Sequence, residues 1–185
     1  MILTRTLTQR FHTAVLKHLD EQPLTGDAVV DVAGIVPVVE TSMDGTSGAL
    51  FSIFLNALVH SLREAGTAAG GDAATPAVWA DALRRSCDAL AQYTPARPGD
   101  RTLVDALYPF VDGLKASGEV GRAAEAAKAA ALGTKGMQAS LGRAVYVGGT
   151  GYVHVPDPGA WGLAAFFLGL AGLTLKPDEE GWEAV

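Results

Sequence analysis

The chain has 185 residues, of which 49% are hydrophobic and 18% are charged, and its formal net charge is −6. This length suits one domain with a sizeable core, and this composition excludes a disordered chain. The acidic balance disfavours a general nucleic-acid binder, which normally carries a basic face. A single cysteine, Cys87, excludes an internal disulfide and favours a reducing, cytoplasmic compartment.

Four helices are predicted in the first half of the chain from the spacing of apolar residues. They run over Thr4–Glu21, over Asp27–Met43, from Ser47 to about Arg63, and from Pro76 to about Tyr93. The fourth has the clearest start signal, with Thr75 as N-cap and Pro76 as the first helical residue. Pro37 lies inside the second helix and is expected to kink it or to mark a boundary. Gly66–Thr75 predicts a flexible connection.

Three more helices are predicted in the second half. They run from Asp100 or Arg101 to about Lys115, over the Ala-rich Gly118–Leu132, and onward from Pro158, with Asp157 as N-cap. The fifth contains Pro109, a second internal irregularity, and the sixth has side chains small enough for close packing. The last contains the apolar stretch Ala160–Leu175, which is shorter than the roughly 20 residues of a membrane-spanning helix. We therefore expect a core helix there, no membrane association, and an all-α antiparallel bundle of about seven helices.

Thr41–Leu58 joins a turn rich in glycine and hydroxyl residues to the apolar third helix. Such a turn leaves backbone N–H groups unpaired and exposes the positive end of the helix dipole, and Thr46 and Ser47 add two hydroxyls there. The stretch is therefore a candidate anion or phosphate site. The alternative is an ordinary helix start, in which Thr46 or Ser47 is the N-cap and Gly48 permits close packing.

Four turns of similar composition lie at predicted helix ends: Asp44–Gly48, Thr94–Thr102, Gly142–Gly151 and Pro156–Gly159. If the helices alternate in direction, the N-termini of the third, fifth and seventh helices gather at one end of the bundle. They would form an anion site there, supported by Arg101, Thr102 and Arg143. The sequence contains no P-loop, no strand–GxGxxG–helix unit and no metal-type spacing of histidines, and His154 is the only histidine predicted near this site.

Taken together, the four turns have the residues and the order of a known family. The segments that carry the likeness follow one another along the chain as Asp44–Phe51, Pro98–Asp105, Gly142–Tyr146 and Asp157–Ala160. This set resembles the nucleotide-binding (L-type) domain of dihydroxyacetone kinases, most of all the C-terminal domain of the single-chain eukaryotic enzymes. The resemblance covers roughly Leu16 to Leu175. It implies an antiparallel eight-helix barrel over residues 1–176, without its first helix here. The acidic composition of residues 177–185 predicts a loose tail.

The resemblance also implies a binding site for ATP or ADP. Its residues are Thr46 and Ser47 at the phosphates, Thr102 and Leu103 lining the nucleotide, Arg143 from the family's Gly-Arg-Ala-Ser-Tyr loop, and Asp157, Pro158 and Gly159 in the turn that closes on the nucleotide. The chain departs from the family pattern at Asp44 and Thr94, where glycine is usual, and at Val145, which replaces a serine.

The family's Gly-Asp-x-Asp-x-Gly loop has no counterpart in this sequence. In the family, its aspartates hold the Mg²⁺ ions that bridge the ATP phosphates, so the expected Mg²⁺ lacks its ligands here and no catalytic residue is assigned. The resemblance also implies a partner, a substrate-binding kinase domain on the same or a separate chain, which we do not expect within these 185 residues. We therefore expect weak nucleotide binding, little turnover, and low stability or self-association, for example as a homodimer.

Three functional interpretations follow. The first is an ATP-dependent phosphotransferase domain of the glycerone kinase type, acting with dihydroxyacetone, glyceraldehyde or a similar small ketose or triose. The second is a non-catalytic nucleotide-binding or regulatory module that works through a partner. The third is a helical scaffold in which the four turns are only caps. None of them involves a nucleic acid or a membrane.

Overall fold

A computed structural model describes residues 2–66, 74–141 and 154–174 of the chain, with side chains from residue 11 onward. Seven helices lie in these ranges: α1 (Ile2–Glu21), α2 (Ala28–Ser42), α3 (Gly45–Glu64), α4 (Pro76–Leu90), α5 (Val104–Ser117), α6 (Val120–Gly133) and α7 (Pro158–Leu170). The same ranges contain no strand, so the all-α prediction is confirmed. The flexible connection predicted at Gly66–Thr75 falls mostly on residues 67–73, outside the described part.

The chain divides into two compact units, Met1–Thr94 with α1 to α4 and Pro95–Val185 with α5 to α7. One domain over residues 1–176 stays a prediction. The acidic tail predicted over 177–185 lies outside the described residues.

In the first unit, each helix packs on the next one along the chain. Aliphatic side chains fill the core, and Val39, Leu62 and Cys87 are completely buried. Phe11 of α1 stacks on Phe51 of α3, with ring centroids 6.2 Å apart. The short connection between α2 and α3, Met43-Asp44, is typical of a helical hairpin.

Local caps explain two of the helix starts in this unit. Oδ1 of Asp27 accepts hydrogen bonds from the amides of Val29 and Val30, at 2.9 and 3.2 Å, and so begins α2. The hydroxyl of Thr75 accepts a hydrogen bond from the amide of Val78 at 3.4 Å, and Pro76 is the first residue of α4. The predicted N-cap and first residue of the fourth helix are therefore confirmed.

Neither internal proline marks a helix boundary. Helix α2 continues through Pro37 and α5 through Pro109, so the boundary interpretation of Pro37 is wrong. A proline removes one backbone hydrogen bond of a helix. In α2, the residues on both sides, Val36 and Val39, are buried, and this burial favours the continued helix.

In the second unit, α5, α6 and α7 all pack on one another. Four alanines of α6 are completely buried: Ala123, Ala124, Ala127 and Ala131. A Cβ atom at Gly113 of α5 would lie 3.0 Å from Cα of Ala123, so the two helix backbones approach closely at a glycine. The close packing predicted for the Ala-rich helix is therefore confirmed.

One face of helix α7 is buried in the core of the second unit. Trp161 and Phe167 are buried, and Phe167 stacks on Phe110 of α5 with ring centroids 3.7 Å apart. Phe166 and Leu170 on its other side are exposed. Among the described helices, α3 is the one that is long and apolar enough to cross a membrane by length and composition, properties that buried helices of soluble proteins share.

Candidate functional site

The turn before α5 is organised by the buried carboxylate of Asp105. Its two oxygens accept hydrogen bonds from the amides of Gly99, at 2.6 Å, and Thr102, at 2.7 Å. The hydroxyl of Thr102 accepts a hydrogen bond from the amide of Val104 at 3.2 Å. These bonds hold residues 99–102 in a turn, so α5 begins at Val104 and the start predicted at residue 100 or 101 is wrong.

Asp100 ties the same turn to the segment that follows α6. Its carboxylate accepts hydrogen bonds from the Ser140 hydroxyl and from the amide of Arg97, each at 2.7 Å. These two hydrogen bonds lower the pKa of Asp100 below its ordinary value. The turn is therefore anchored from outside as well as by Asp105.

The turn before α7 has the cap that the sequence predicts. Oδ1 of Asp157 accepts a hydrogen bond from the amide of Ala160 at 2.9 Å, and Pro158 is the first helical residue. The amide of Asp157 donates to the hydroxyl of Thr134 at 2.7 Å. Burial raises the pKa of the Asp157 carboxyl, while the hydrogen bond from Ala160 and the charge of Arg101 act in the opposite direction.

These two turns meet. A Cβ atom at Gly159 would lie 3.5 Å from the amide nitrogen and 3.6 Å from Cβ of Leu103. The N-termini of α5 and α7 are therefore neighbours, and the structure brings Thr102 and Leu103 together with Asp157 and Gly159. Gly159 is exposed, and Thr102 and Leu103 are half-buried, so this junction is partly open to solvent.

Arg101 belongs to the same turn but does not point outward. It is 4% exposed, and its guanidinium donates from Nε to the carbonyl of Thr134, at 3.3 Å, and from Nη2 to the carbonyl of Val155, at 3.1 Å. These donors thus bond to carbonyls of the protein itself. The support of an anion site by Arg101 stays a prediction. His154, the histidine predicted near the site, is exposed.

Thr134 and Asp105 are the two residues of this junction that sequence reasoning missed. Thr134 is completely buried, and its hydroxyl donates to the carbonyl of Ala131 at 2.6 Å while it accepts from Asp157. In the sequence, Gly133-Thr134-Lys135-Gly136 resembles a P-loop only superficially. The useful signal was a hydroxyl residue at the end of a helix, where it can bond to backbone groups.

The N-terminal turn of α3 differs from the ordinary cap interpretation. The helix begins at Gly45, with φ +70°, and its N-cap Asp44 makes no side-chain capping bond. Thr46 and Ser47 lie inside the first turn, where both are exposed, so neither is the N-cap. Within the described ranges, the amides of Thr46 and Ser47 donate no hydrogen bond, and neither hydroxyl forms one.

The ordinary helix-start interpretation also predicts that Gly48 permits close packing. This part is confirmed, because a side chain does not fit at Gly48. A Cβ atom at Gly48 would lie 2.8 Å from the carbonyl carbon of Met43 and still closer to its oxygen. Arg143, and most of the predicted turn Gly142–Gly151, lie outside the described residues. The placement of Thr46 and Ser47 next to the nucleotide residues of the second unit stays a prediction.

The absence of Mg²⁺ ligands from this chain stays a prediction. No group of three or more His, Cys, Asp or Glu side chains comes together in the described ranges. Upstream of Thr46, Asp27 caps α2, and Asp31 accepts three hydrogen bonds, from the amide and hydroxyl of Thr25 at 2.8 Å each and from the amide of Gly26 at 3.1 Å. These two carboxylates are bound to the protein's own backbone.

The family model described as the DAK2 domain matches residues 6–172. The chain is 43% identical over 152 residues to "Dihydroxyacetone kinase" of Pichia angusta, and this match covers 78% of this chain and 25% of the relative. It is 44% identical over 154 residues to "Dihydroxyacetone kinase 2" of Saccharomyces cerevisiae, with 77% and 24% covered. It is 32% identical over 168 residues to human "Triokinase/FMN cyclase", with 86% and 28% covered.

Two crystal structures of the dihydroxyacetone kinase of C. freundii have the same fold. The native form matches with a TM-score of 0.68 and 27% identity, over 88% of this chain and 27% of that one. The form in complex with AMP-PNP and Mg²⁺ matches with a TM-score of 0.63 and 25% identity, over 91% and 32%. The chain thus spans about a quarter of the length of the curated relatives it matches. It belongs to the DAK2 domain family.

Proposed function

We propose that this chain is the ATP-binding part of a kinase of the dihydroxyacetone type. Completed by a substrate-binding domain, it would serve phosphoryl transfer from ATP to a small ketose or triose such as dihydroxyacetone or glyceraldehyde. Relatives named dihydroxyacetone kinase and triokinase support this proposal, as does the C. freundii enzyme in complex with AMP-PNP and Mg²⁺. The observation that carries it is the junction of Leu103 with Gly159 at two helix N-termini.

The first turn of α3 is suited to the phosphates. The unbonded amides and exposed hydroxyls of Thr46 and Ser47 are donors, and phosphate oxygens are acceptors. The positive end of the helix dipole adds attraction for a negative charge. Gly48 keeps this turn close to the Met43 carbonyl and so fixes where these donors point.

The junction of α5 and α7 is suited to the rest of the nucleotide. Leu103 offers a half-buried apolar surface, and the neighbouring Gly159 is exposed. Thr102 and Pro158 flank this surface and are half-buried as well. Arg143 enters the proposal only from the resemblance, as a cation for the phosphates.

The chain alone is proposed to bind nucleotide weakly and to turn over little. Enzymes of phosphoryl transfer act mainly by positioning and by neutralising charge on the phosphoryl group. Asp27 and Asp31, carboxylates upstream of the phosphate turn, already hold backbone amides. Charge neutralisation and the acceptor would then be provided by groups beyond the described residues or by the partner domain.

Titration calorimetry with ATP, with and without Mg²⁺, tests the proposal. Binding that Mg²⁺ strengthens favours the kinase-type domain. Binding that is the same with and without the metal favours a non-catalytic nucleotide-binding or regulatory module. A chain that binds no nucleotide at concentrations up to the millimolar range would leave only the helical scaffold and overturn the proposal. Robust phosphorylation of dihydroxyacetone by the isolated chain would overturn the part about impaired turnover.

A further inference from the structure

Arg101 connects three segments of the second unit. From the turn before α5, its guanidinium reaches the carbonyl of Thr134 at the end of α6, at 3.3 Å. It also reaches the carbonyl of Val155 in the segment that leads to α7, at 3.1 Å. A planar guanidinium has donors in a fixed fork, so it can satisfy two separate carbonyls and fix the distance between them.

Thr134 completes the connection. The amide of Asp157 bonds to its hydroxyl at 2.7 Å, while its carbonyl accepts from Arg101. Moving the guanidinium therefore moves Thr134 and, through Thr134, the Asp157 cap of α7. Leu103 lies two residues beyond Arg101, and a Cβ atom at Gly159 would meet it at 3.5 Å.

The backbone of Arg101 indicates that the side chain has a specific task. Its φ is +58°, and it is the only residue other than glycine with a positive φ in the described ranges. An L-residue pays an energetic cost in this region, where glycine does not. An arginine at such a position is explained if its side chain contributes more than the strain costs.

We infer that Arg101 is a positioning residue for the nucleotide site: it holds the Thr102–Leu103 turn against the Asp157–Gly159 turn through Thr134 and Val155. This inference rests on the proposed function. Its alternative is direct attraction of the nucleotide phosphates by the positive charge of Arg101. The buried guanidinium and its bonds to two carbonyls favour the positioning role.

Three substitutions at this position separate the two roles. Arg101→Gly removes the side chain and relieves the backbone strain, Arg101→Ala removes the side chain and keeps the strain, and Arg101→Lys keeps the charge and loses the fork. We expect all three to weaken nucleotide binding roughly tenfold or more, since displacing groups by about 1 Å has effects of that size. Arg122→Lys, at an exposed arginine of the same unit, is the control and should leave binding unchanged.

The dissociation constants of AMP, ADP and ATP carry the test. A positioning residue weakens all three by the same factor, because it acts on the turns that line the nucleotide. A phosphate contact weakens ATP more than AMP and is largely kept in Arg101→Lys. A loss that grows with the number of phosphates, or an Arg101→Gly or Arg101→Lys variant that binds like wild type, would overturn the inference.

Amide hydrogen exchange supplies a readout that does not need a nucleotide. In Arg101→Lys, the amides of Asp157 and Ala160 should exchange faster, while the middle of α6 keeps its protection. Thr134→Val, which keeps the shape of the side chain and removes the hydroxyl, should give the same local pattern and the same uniform loss of binding. Unchanged exchange would overturn the inference alone, whereas a wild-type chain that binds none of the three nucleotides would overturn the proposed function.

Discussion

Replacing Gly48 by alanine should destabilise the first unit although alanine is the better helix former. In an unobstructed helix, the change from glycine to alanine adds roughly 0.5–1 kcal/mol of stability. At Gly48, the new Cβ would lie 2.8 Å from the carbonyl carbon of Met43 and closer still to its oxygen, where real Cβ atoms are not found. Both atoms belong to the backbone, so the connection between α2 and α3 has to move.

Forced backbone shifts of this kind cost about 1–3 kcal/mol and occasionally more. After the gain in helix propensity is subtracted, Gly48→Ala should lower the free energy of unfolding by roughly 1–2 kcal/mol. It should also weaken ATP binding, because the amides of Thr46 and Ser47 move with the turn. Urea denaturation followed by circular dichroism gives the first quantity, and titration calorimetry gives the second.

Gly121→Ala is the matched control, because Gly121 lies in the first turn of α6 and a Cβ there meets nothing within 4 Å. It should raise the stability by up to about 1 kcal/mol and leave ATP binding unchanged. If Gly48→Ala is as stable as Gly121→Ala, the steric reasoning about the α2–α3 connection is refuted.

Three further substitutions test other parts of the site. Asp157→Asn should remove a pH-dependent contribution to the free energy of unfolding. Burial raises the pKa of Asp157 in the folded state above its ordinary value of 3.8. The contribution of this carboxyl is therefore full below pH 3.8 and is lost as the pH rises through the folded-state pKa. The free energy of unfolding of the variant, measured by urea titration, should therefore increase relative to that of wild type from about pH 3.5 to 7. A difference that does not change with pH contradicts the raised pKa of Asp157. Asp105→Ala leaves two backbone amides of the turn without their acceptor and should lower the free energy of unfolding by about 3 kcal/mol, measured in the same assay; a loss below about 1 kcal/mol would show that the turn holds without it. Thr46→Val with Ser47→Ala should weaken ATP binding about tenfold and change stability by less than about 0.5 kcal/mol, with Asn56→Ala on the same helix as the neutral control; full affinity in the double variant would remove the two hydroxyls from the proposed phosphate contacts.

The sequence predicted the start of a helix best where an N-cap residue is followed directly by proline. Thr75 with Pro76, and Asp157 with Pro158, are local signals, and both helix starts are confirmed. The start of α5 was predicted three or four residues too early, because the deciding acceptor, Asp105, lies inside the helix and bonds backward to the turn. No pattern of apolar residues contains that information.

The candidate site was predictable only as a set of turns. The order of the motifs identified Leu103 and Gly159, and the structure places these two residues side by side. The direction of the Arg101 side chain was not predictable, because the local sequence of the turn does not indicate whether an arginine faces a phosphate or a carbonyl of the protein. Its direction depends on Thr134, which is 33 residues away along the chain.

The interface between α5 and α6 has a consequence for how the gene can change. The buried residues of α6 are already alanines, and Gly113 of α5 lies at a close approach to Ala123, so shortening a buried side chain of α6 has almost nothing left to remove. Single-base changes that replace an alanine give a larger residue in every case except glycine. Random mutation of α6 therefore tends to push the two helices apart, and this short helix should tolerate far fewer substitutions than its bland, alanine-rich sequence suggests.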